Sequence, residues 1–402
     1  MCGIAVILPG SALDVPAGAI ERMTAALVHR GPDAQACVRL PGCELGHARL
    51  SIIDLAGGAQ PMGDAFGRLH VVFNGEIYNH ADLRRELESR GARFRTRSDT
   101  EVLLHAYEHW GRAMLGRLNG QFAFAIWDSH KHELFVARDR FGEKPLYWAA
   151  APGGQILLAS EIKAILASGL VSPRIDPVSV DAYLGLYYVP PDRTIHENVH
   201  ALPPGHASVF NNCSHATWRY WEPKLSTCGV DEHEAVEQVQ SLLRRAVERQ
   251  MVADVPVGAF LSGGLDSTSI VALMSAQSRD RVRTYAVGFG ELINELPFAR
   301  EAAVAYGTDH HEMQMDIDVA ACLARMTDVY DEPFGDSSNI PTYLVAEYAR
   351  RHVKVVLSGD GGDEIFGGYA WYGSLLNGDS DPRDWFDAHL ANATVLNGDR
   401  SR

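Results

Sequence analysis

At 402 residues the chain exceeds one ordinary domain, and two or three are expected; 46% hydrophobic and 22% charged residues mark it as globular. A formal charge of −15 argues against nucleic acid as a main partner, and no apolar run reaches the ~18 residues of a membrane helix. The six cysteines (Cys2, Cys37, Cys43, Cys213, Cys228, Cys322) form no CxxC pair and no zinc-type spacing, and no cationic, apolar leader opens the chain, so the cytoplasm is the expected compartment.

In chain order, the first informative position is Cys2. Its small size favours removal of the initiator Met, which would leave a thiol and a free α-amine on one residue. With reference pKa values of about 8 and about 8.5, that amine can serve as the thiol's own base. One cysteine alone identifies no chemistry. Four segments follow it: Arg30-Gly31-Pro32-Asp33, His47-Ala48-Arg49-Leu50-Ser51, Asn74-Gly75-Glu76-Ile77-Tyr78-Asn79 and Ser98-Asp99-Thr100-Glu101. Each has a plain structural reading: Asn74-Gly75 is a common hairpin dipeptide after a strand-like run at 69–73, and the Arg30 segment reads as a turn. Helical patterns at about 82–90 and 100–110 precede strand-like runs at 122–127, 133–137, 145–148 and 155–160. Turn chemistry between those runs predicts antiparallel pairing. The stretch 211–232 reads as a linker.

Beyond it the rhythm changes. A helix at about 234–251 leads to a buried-strand run at 257–261 and a helix from 267; strands at 284–289 and 353–357 and a helix at 297–306 follow. Strands alternating with helices predict a parallel sheet with helical crossovers. Ser262-Gly263-Gly264-Leu265-Asp266-Ser267 ends the first of these strands, a Gly-rich turn whose backbone N–H groups would cradle an anion. It lacks the Lys of a Walker loop, and Asp266 suits phosphates only through Mg²⁺. A helix cap would explain Asp266 and Ser267 but not three successive small residues before them. Ser358-Gly359-Asp360-Gly361-Gly362-Asp363-Glu364 again follows an apolar strand, with Asp331-Glu332-Pro333-Phe334-Gly335-Asp336-Ser337-Ser338 upstream. His310-His311 reads as a strand-edge pair rather than a metal site, because no second ligand cluster follows.

With Met1-Cys2-Gly3-Ile4 in front, the four N-terminal segments resemble the glutaminase domain of class II (N-terminal nucleophile) glutamine amidotransferases. The Ser262 loop resembles the PP-loop of ATP pyrophosphatases, and the two acidic clusters resemble the synthetase domain of glutamine-dependent asparagine synthetases. The resemblance implies an α+β then α/β chain: an αββα sandwich over 1–210, the linker, and an ATP pyrophosphatase domain over 233–402. It makes Cys2 the nucleophile and Arg49 the partner of the glutamine carboxylate, flanked by Leu50, Ser51, Ile52 and Ile53. Glu76 and Asp99 would hold the α-ammonium, and the Asn74 amide with the Gly75 N–H would form the oxyanion hole. Leu261, Ser262, Gly263, Gly264, Asp266, Ser267, Val287, Ser358 and Gly359 would bind ATP, Asp266 and Asp363 would carry Mg²⁺, and Asp360 would be the acid of the acyl-adenylate step.

Glutamine, aspartate and ATP are the implied partners, without nucleic acid or membrane and with room for a homodimer. The implied reaction yields asparagine, glutamate, AMP and pyrophosphate. Two alternatives stay open, an amidotransferase for another carboxylate on a peptide or surface sugar, and a form retaining only glutaminase activity. The family's synthetase domain continues past the second acidic cluster to a catalytic Lys with no counterpart before Arg402. Glutamine hydrolysis with little asparagine synthesis is therefore expected of this chain alone.

Overall fold

The computed structural model describes residues 1–10, 15–211, 215–224, 229–289, 294–315, 318–336, 338–369 and 372. It divides into two compact units, Met1–Asp181 with Val189–Ser226, and Ala182–Tyr188 with Thr227–Arg402.

The first unit begins with β1 (Gly3–Leu8), α1 (Ala19–Ala25), β2 (Ala34–Leu40), β3 (Cys43–Arg49), β4 (Met62–Gly63) and β5 (Leu69–Ile77). Then come α2 (His80–Ser89), α3 (Asp99–Trp110), β6 (Gly120–Asp128), β7 (Glu133–Arg138), β8 (Tyr147–Ala150) and β9 (Ile156–Ala159). After α4 (Ile162–Ala167) and α5 (Pro177–Leu186), whose residues from Ala182 on belong to the second unit, β10 (His200–Ala201), β11 (His206–Phe210) and β12 (His215–Arg219) close the set. The strands form two six-stranded sheets, in the orders β10-β8-β9-β1-β3-β2 and β12-β11-β7-β6-β5-β4. Every pairing is antiparallel, as the turn chemistry predicts.

Side-chain alternation along β1 sorts the layers. Ile4, Val6 and Leu8 share a core with Val72 of β5 and Trp127 of β6, so the two sheets pack face to face. Ala5 and Ile7 point the other way, into a core with Ile20 and Met23 of α1 and Ile162 and Ile165 of α4. Leu83 and Leu87 of α2 and Val102 and Leu103 of α3 cover the outer face of the second sheet with Phe73, Phe124 and Phe135. The unit is therefore a helix–sheet–sheet–helix sandwich. Because β1 is buried on both faces, its sequence is an unbroken apolar run.

Part of the stretch read as a linker, 211–232, is structured. β12 lies in it and pairs with β11 from His206↔Arg219 to Phe210↔His215. Its sequence, HATWR, is mixed and largely exposed, so no apolar alternation announces the strand.

The second unit contains α6 (Glu232–Gln250), β13 (Val257–Phe260), α7 (Leu265–Gln277), β14 (Arg283–Phe289) and α8 (Leu296–Tyr306). β15 (Asp309–Met315), α9 (Val319–Val329), α10 (Asn339–Ala349), β16 (Val355–Leu357) and α11 (Gly362–Phe366) complete it. Its sheet is parallel, in the order β15-β14-β13-β16. His310 and His311 fall on the end strand of that order, β15. From β13 the chain winds outward through β14 to β15, then returns to the opposite side of β13 as β16. Order reverses between β13 and β16, where open parallel sheets present a crevice at the strands' carboxyl ends. No helix among the described residues is long and apolar enough to cross a membrane.

Candidate active sites

Cys2 immediately precedes β1 and shares the parity of Ile4, so its side chain belongs to the face between the sheets. The Leu50 N–H donates to Cys2 Sγ at 3.4 Å, and the thiol lies 3.6 Å from the Leu50 carbonyl. Arg30 Nε donates to the Cys2 carbonyl at 2.9 Å, while Nη1 pairs with Glu161 at 2.8 Å. Burial opposes ionisation of Glu161, yet hydrogen bonds from His29 and Arg30 bring its carboxyl down to about 2. Asp33 ties the Arg30 segment to the end of β3: its N–H donates to the Arg49 carbonyl at 3.0 Å, and Oδ2 accepts the Ser51 N–H at 2.8 Å.

Arg49 closes β3 with its guanidinium curled under the loop carrying Ile52 and Ile53. It donates to the carbonyls of Leu55 (3.0 Å), Asp54 (2.8 Å) and Ile53 (3.5 Å). A guanidinium has about five N–H donors, more than these bonds require, so a carboxylate can still be received.

The edge of β5 away from β6 decides what Asn74 and Gly75 can do. They lie within β5, in register with Ala123 and Phe122, so the hairpin-turn reading of this dipeptide does not hold. In an antiparallel strand both backbone groups of a residue face the same edge, alternating residue by residue. Phe73 faces outward: its N–H donates to Gln60 Oε1 at 2.7 Å and its carbonyl accepts from His47 Nε2 at 3.1 Å. Ile77 faces outward too, its N–H held by Asp99 Oδ2 at 3.0 Å. Gly75 lies between them on the same edge, and its partner in register, Phe122, spends both backbone groups on Asp139. Along this edge β4 begins only at Met62, opposite Val71, so among the described residues nothing fills the Gly75 N–H. A Cβ at Gly75, whose φ is +150°, would overlap the Gln121 carbonyl oxygen. Beside it the Asn74 side chain is fully buried, and neither amide atom has a partner among the described residues.

Charge gathers around the thiol. Burial is the largest influence on Cys2 and raises its pKa, opposed by the Leu50 amide, the N-terminal amine and Arg49. The Met1 residue is 52% exposed, but its amine sits inside, and burial pushes that amine down to about 5. Burial raises the Asp99 carboxyl as well, with the Ile77 N–H pulling against it. Burial and then the Asp99 charge push Glu76 up to about 7, against Lys144.

If Glu76 holds the α-ammonium of glutamine, as the motif resemblance implies, it must do so in its ionised form. Glutamine affinity is therefore expected to rise as pH increases through about 7 and to level off above, since below that value binding must first release the Glu76 proton. KM measured on either side of that pH checks it, and Glu76→Gln should raise KM and flatten the profile. A wild-type KM that ignores pH over this interval would contradict the assignment.

In the second unit, the loops after β13 and β16 meet at the reversal of strand order. Ser262 Oγ and Ser267 Oγ lie 2.9 Å apart, and Gly264 N–H donates to Ser262 Oγ at 3.3 Å, so hydroxyls brace the turn into α7. Gly263 adopts φ +85° against the backbone of Phe298, a position no side chain could share. A Cβ on Gly359 would sit 2.8 Å from the Asp266 Cβ and the Ser267 amide nitrogen, so the two loops touch. Leu261, Ser262, Gly264, Asp266, Ser267, Val287, Ser358, Gly359, Asp360 and Asp363 all line one cleft of about 860 Å³. Asp336 and Ser338 of the upstream cluster also reach it, while Ser337 lies outside the described residues.

Residues 1–221 match the family model of a glutamine amidotransferase domain, and residues 238–400 match that of asparagine synthase. Glutamine-hydrolysing asparagine synthetase 1 of Bacillus subtilis is 36% identical over 361 residues, covering 89% of this chain and 57% of that protein. A Mycobacterium bovis protein bearing the same enzyme's name is 40% identical, covering 90% of this chain and 58% of its own length. A similarly named protein of Methanocaldococcus jannaschii is 36% identical over 403 residues, covering 94% of this chain and 77% of its own length. The chain belongs to the glutamine-hydrolysing asparagine synthetase family. It spans a little under three fifths of the length of the first two relatives.

For a member of this family, reading the sequence left several site-shaping residues without a role. Gln60 and His47 grip Phe73. Lys144 Nζ donates to Gln121 Oε1 at 2.6 Å, and Gln121 stands opposite Glu76 in register. That lysine is set by Asp139, whose carboxylate accepts the N–H groups of Phe122, Phe141, Glu143 and Lys144. The signal was an Asp two residues before a Phe-Gly turn and a Lys-Pro, an arrangement in which a short carboxylate caps its own loop.

Proposed function

We propose that the chain hydrolyses glutamine at Cys2 and uses the ammonia to amidate an aspartate side chain activated by ATP in the second unit. The observation that carries the first half is the unfilled Gly75 N–H beside the unpartnered Asn74 amide. Two donors prepared without a partner suit an oxyanion that exists only during reaction. Removal of Met1 would turn the Cys2 amide into an amine. Burial already holds the Met1 amine neutral near this position, the state a base for the thiol requires.

The Cys2 thiolate attacks the glutamine side-chain carbonyl, ammonia leaves with the proton taken from the thiol, and water cleaves the resulting thioester to glutamate. In the cleft, the substrate carboxylate displaces pyrophosphate from the α-phosphorus of ATP. Ammonia then displaces AMP from the acyl-adenylate, leaving the amide. Aspartate as acceptor rests on the names of the relatives.

Mg²⁺ fits the residues present. Asp266 and Asp363 line the same cleft, and no cluster of three or more protein ligands occurs among the described residues. An ion held there would take most of its shell from phosphate and water, the habit of Mg²⁺, and would neutralise the departing pyrophosphate. Asp266→Asn should weaken ATP binding in Mg²⁺ at least about tenfold while leaving glutamine hydrolysis intact. Calorimetry with and without Mg²⁺ decides this, and equal ATP affinity in both proteins would remove the metal role.

The whole reading is tested by following glutamate, AMP and asparagine in one assay of the full chain. Glutamate should dominate, and whatever asparagine and AMP form should appear together and only with aspartate present. AMP release that ignores aspartate would transfer the acceptor role to another carboxylate.

A further inference from the structure

β3 and β5 belong to different sheets, and their inward side chains meet in the core between them. There His47, 1% exposed, reaches from β3 to the Phe73 carbonyl of β5. A carbonyl can only accept, so Nε2 carries the ring proton. Burial pushes the imidazole down to about 4, which leaves it neutral with no partner for Nδ1 among the described residues. The N–H of the same residue is held by Gln60, which also donates from Nε2 to Thr100 Oγ1 at 3.3 Å, next to Asp99.

Both backbone groups of Phe73 are thus fixed by side chains instead of a neighbouring strand. Their placement matters because of what adjoins them. His47 pairs with Ile4 in register, two residues from Cys2, and lies two residues before Arg49. Phe73 directly precedes Asn74 and Gly75. A single hydrogen bond therefore joins the strand ends carrying the nucleophile and the carboxylate partner to the strand carrying the oxyanion donors.

We propose that His47 and Gln60 are positioning residues that set Asn74 and Gly75 at reacting distance from Cys2. This rests on the glutaminase reading given above. Neither residue touches substrate. Their effect falls on the transition state, because the oxyanion forms only there, while glutamine in its ground state is held by Arg49, Glu76 and Asp99.

The test uses the full chain, with functional sites counted by a glutamine-mimicking alkylator so that folding losses do not enter the rate. His47→Leu should lower kcat for glutamine hydrolysis by about 10–100-fold per alkylated site and change KM by less than about threefold. Binding of glutamate γ-semialdehyde, whose adduct with a thiol carries the oxyanion, should weaken by the same factor, and binding of glutamate should not. His47→Gln, which returns an N–H near the Nε2 position, should recover most of the loss. If His47→Leu does not fold, Gln60→Leu acts on the other end of the same backbone residue and should show the same division between kcat and KM.

Wild-type kcat per site in the Leu variants, or a loss that His47→Gln does not repair, would overturn the proposal. Cys2→Ala and Asn74→Ala separate the two levels. Should they lose hydrolysis while His47 and Gln60 variants keep it, only this inference fails; should they keep it, the glutaminase reading fails first.

Discussion

Cys2→Ala is expected to abolish glutamine hydrolysis, a loss on the order of 10⁴-fold or more, with ATP binding by the second unit unchanged. The Leu50 N–H, just past β3, donates to the sulfur, and Arg30, in the segment before β2, holds the backbone carbonyl of the same residue. With the thiol gone, the remaining donors can stabilise only attack by water. A glutamine-mimicking alkylator should mark Cys2 ahead of the other three described thiols: Cys43 is fully buried with its pKa raised well above the ordinary value, Cys37 is bonded to Thr24 and also raised, and Cys322 lies on α9 of the second unit, outside the unit of the glutaminase motifs. Cys213 and Cys228 lie outside the described residues. Mass analysis of the purified protein should show Met1 removed. Glutamate release by Cys2→Ala within tenfold of wild type would end the assignment.

Asn74→Ala should cost about 10²–10³ in kcat with little change in KM, the signature of a donor that acts only on developing charge. The same substitution is expected to leave the melting temperature unchanged or raise it. A buried amide with neither atom partnered costs free energy in the resting protein, and truncation relieves that cost. Activity and stability should therefore move in opposite directions. Kinetics and thermal unfolding on the same preparation check both halves. A clear fall in melting temperature would mean that the amide has a structural partner; an unchanged kcat would remove it from the oxyanion hole.

Strands with uninterrupted apolar runs such as β6 and β13 were plain in the sequence, whereas β1, behind the Cys2 motif, drew no strand expectation. Helices α2, α3, α6 and α7 showed their period, and their observed starts lie within two residues of the expected ones, while α1 and α4 were not anticipated. β12 escaped because a mixed, exposed strand has no face to mark. The site divides similarly. Cys2, Arg49, Asn74, Glu76 and Asp99 sit in short motifs whose order resembles a known family, and that resemblance, more than residue type, pointed to them. Gln60 lies in a loop with no periodic pattern. Whether Asn74-Gly75 turns or continues a strand depends on β6, more than forty residues later in sequence, and the open edge beside Gly75 depends on β4 beginning only at Met62. Long-range facts of that kind leave no local trace.

The outward edge of β5 can also be read as arithmetic. Val71, Phe73, Gly75 and Ile77 occupy successive outward positions, and only the third is left empty. One residue inserted or deleted between Val71 and Asn74 would exchange the two edges, turning the Gly75 N–H onto β6 and moving Asn74 out of the space between the sheets. A change of two residues would keep parity but carry the gap away from Cys2. Length variation in this family therefore has no small step available along β5, whereas the loop from Asp64 to Arg68, with Phe66 87% exposed at its tip, can lengthen freely without the site registering it.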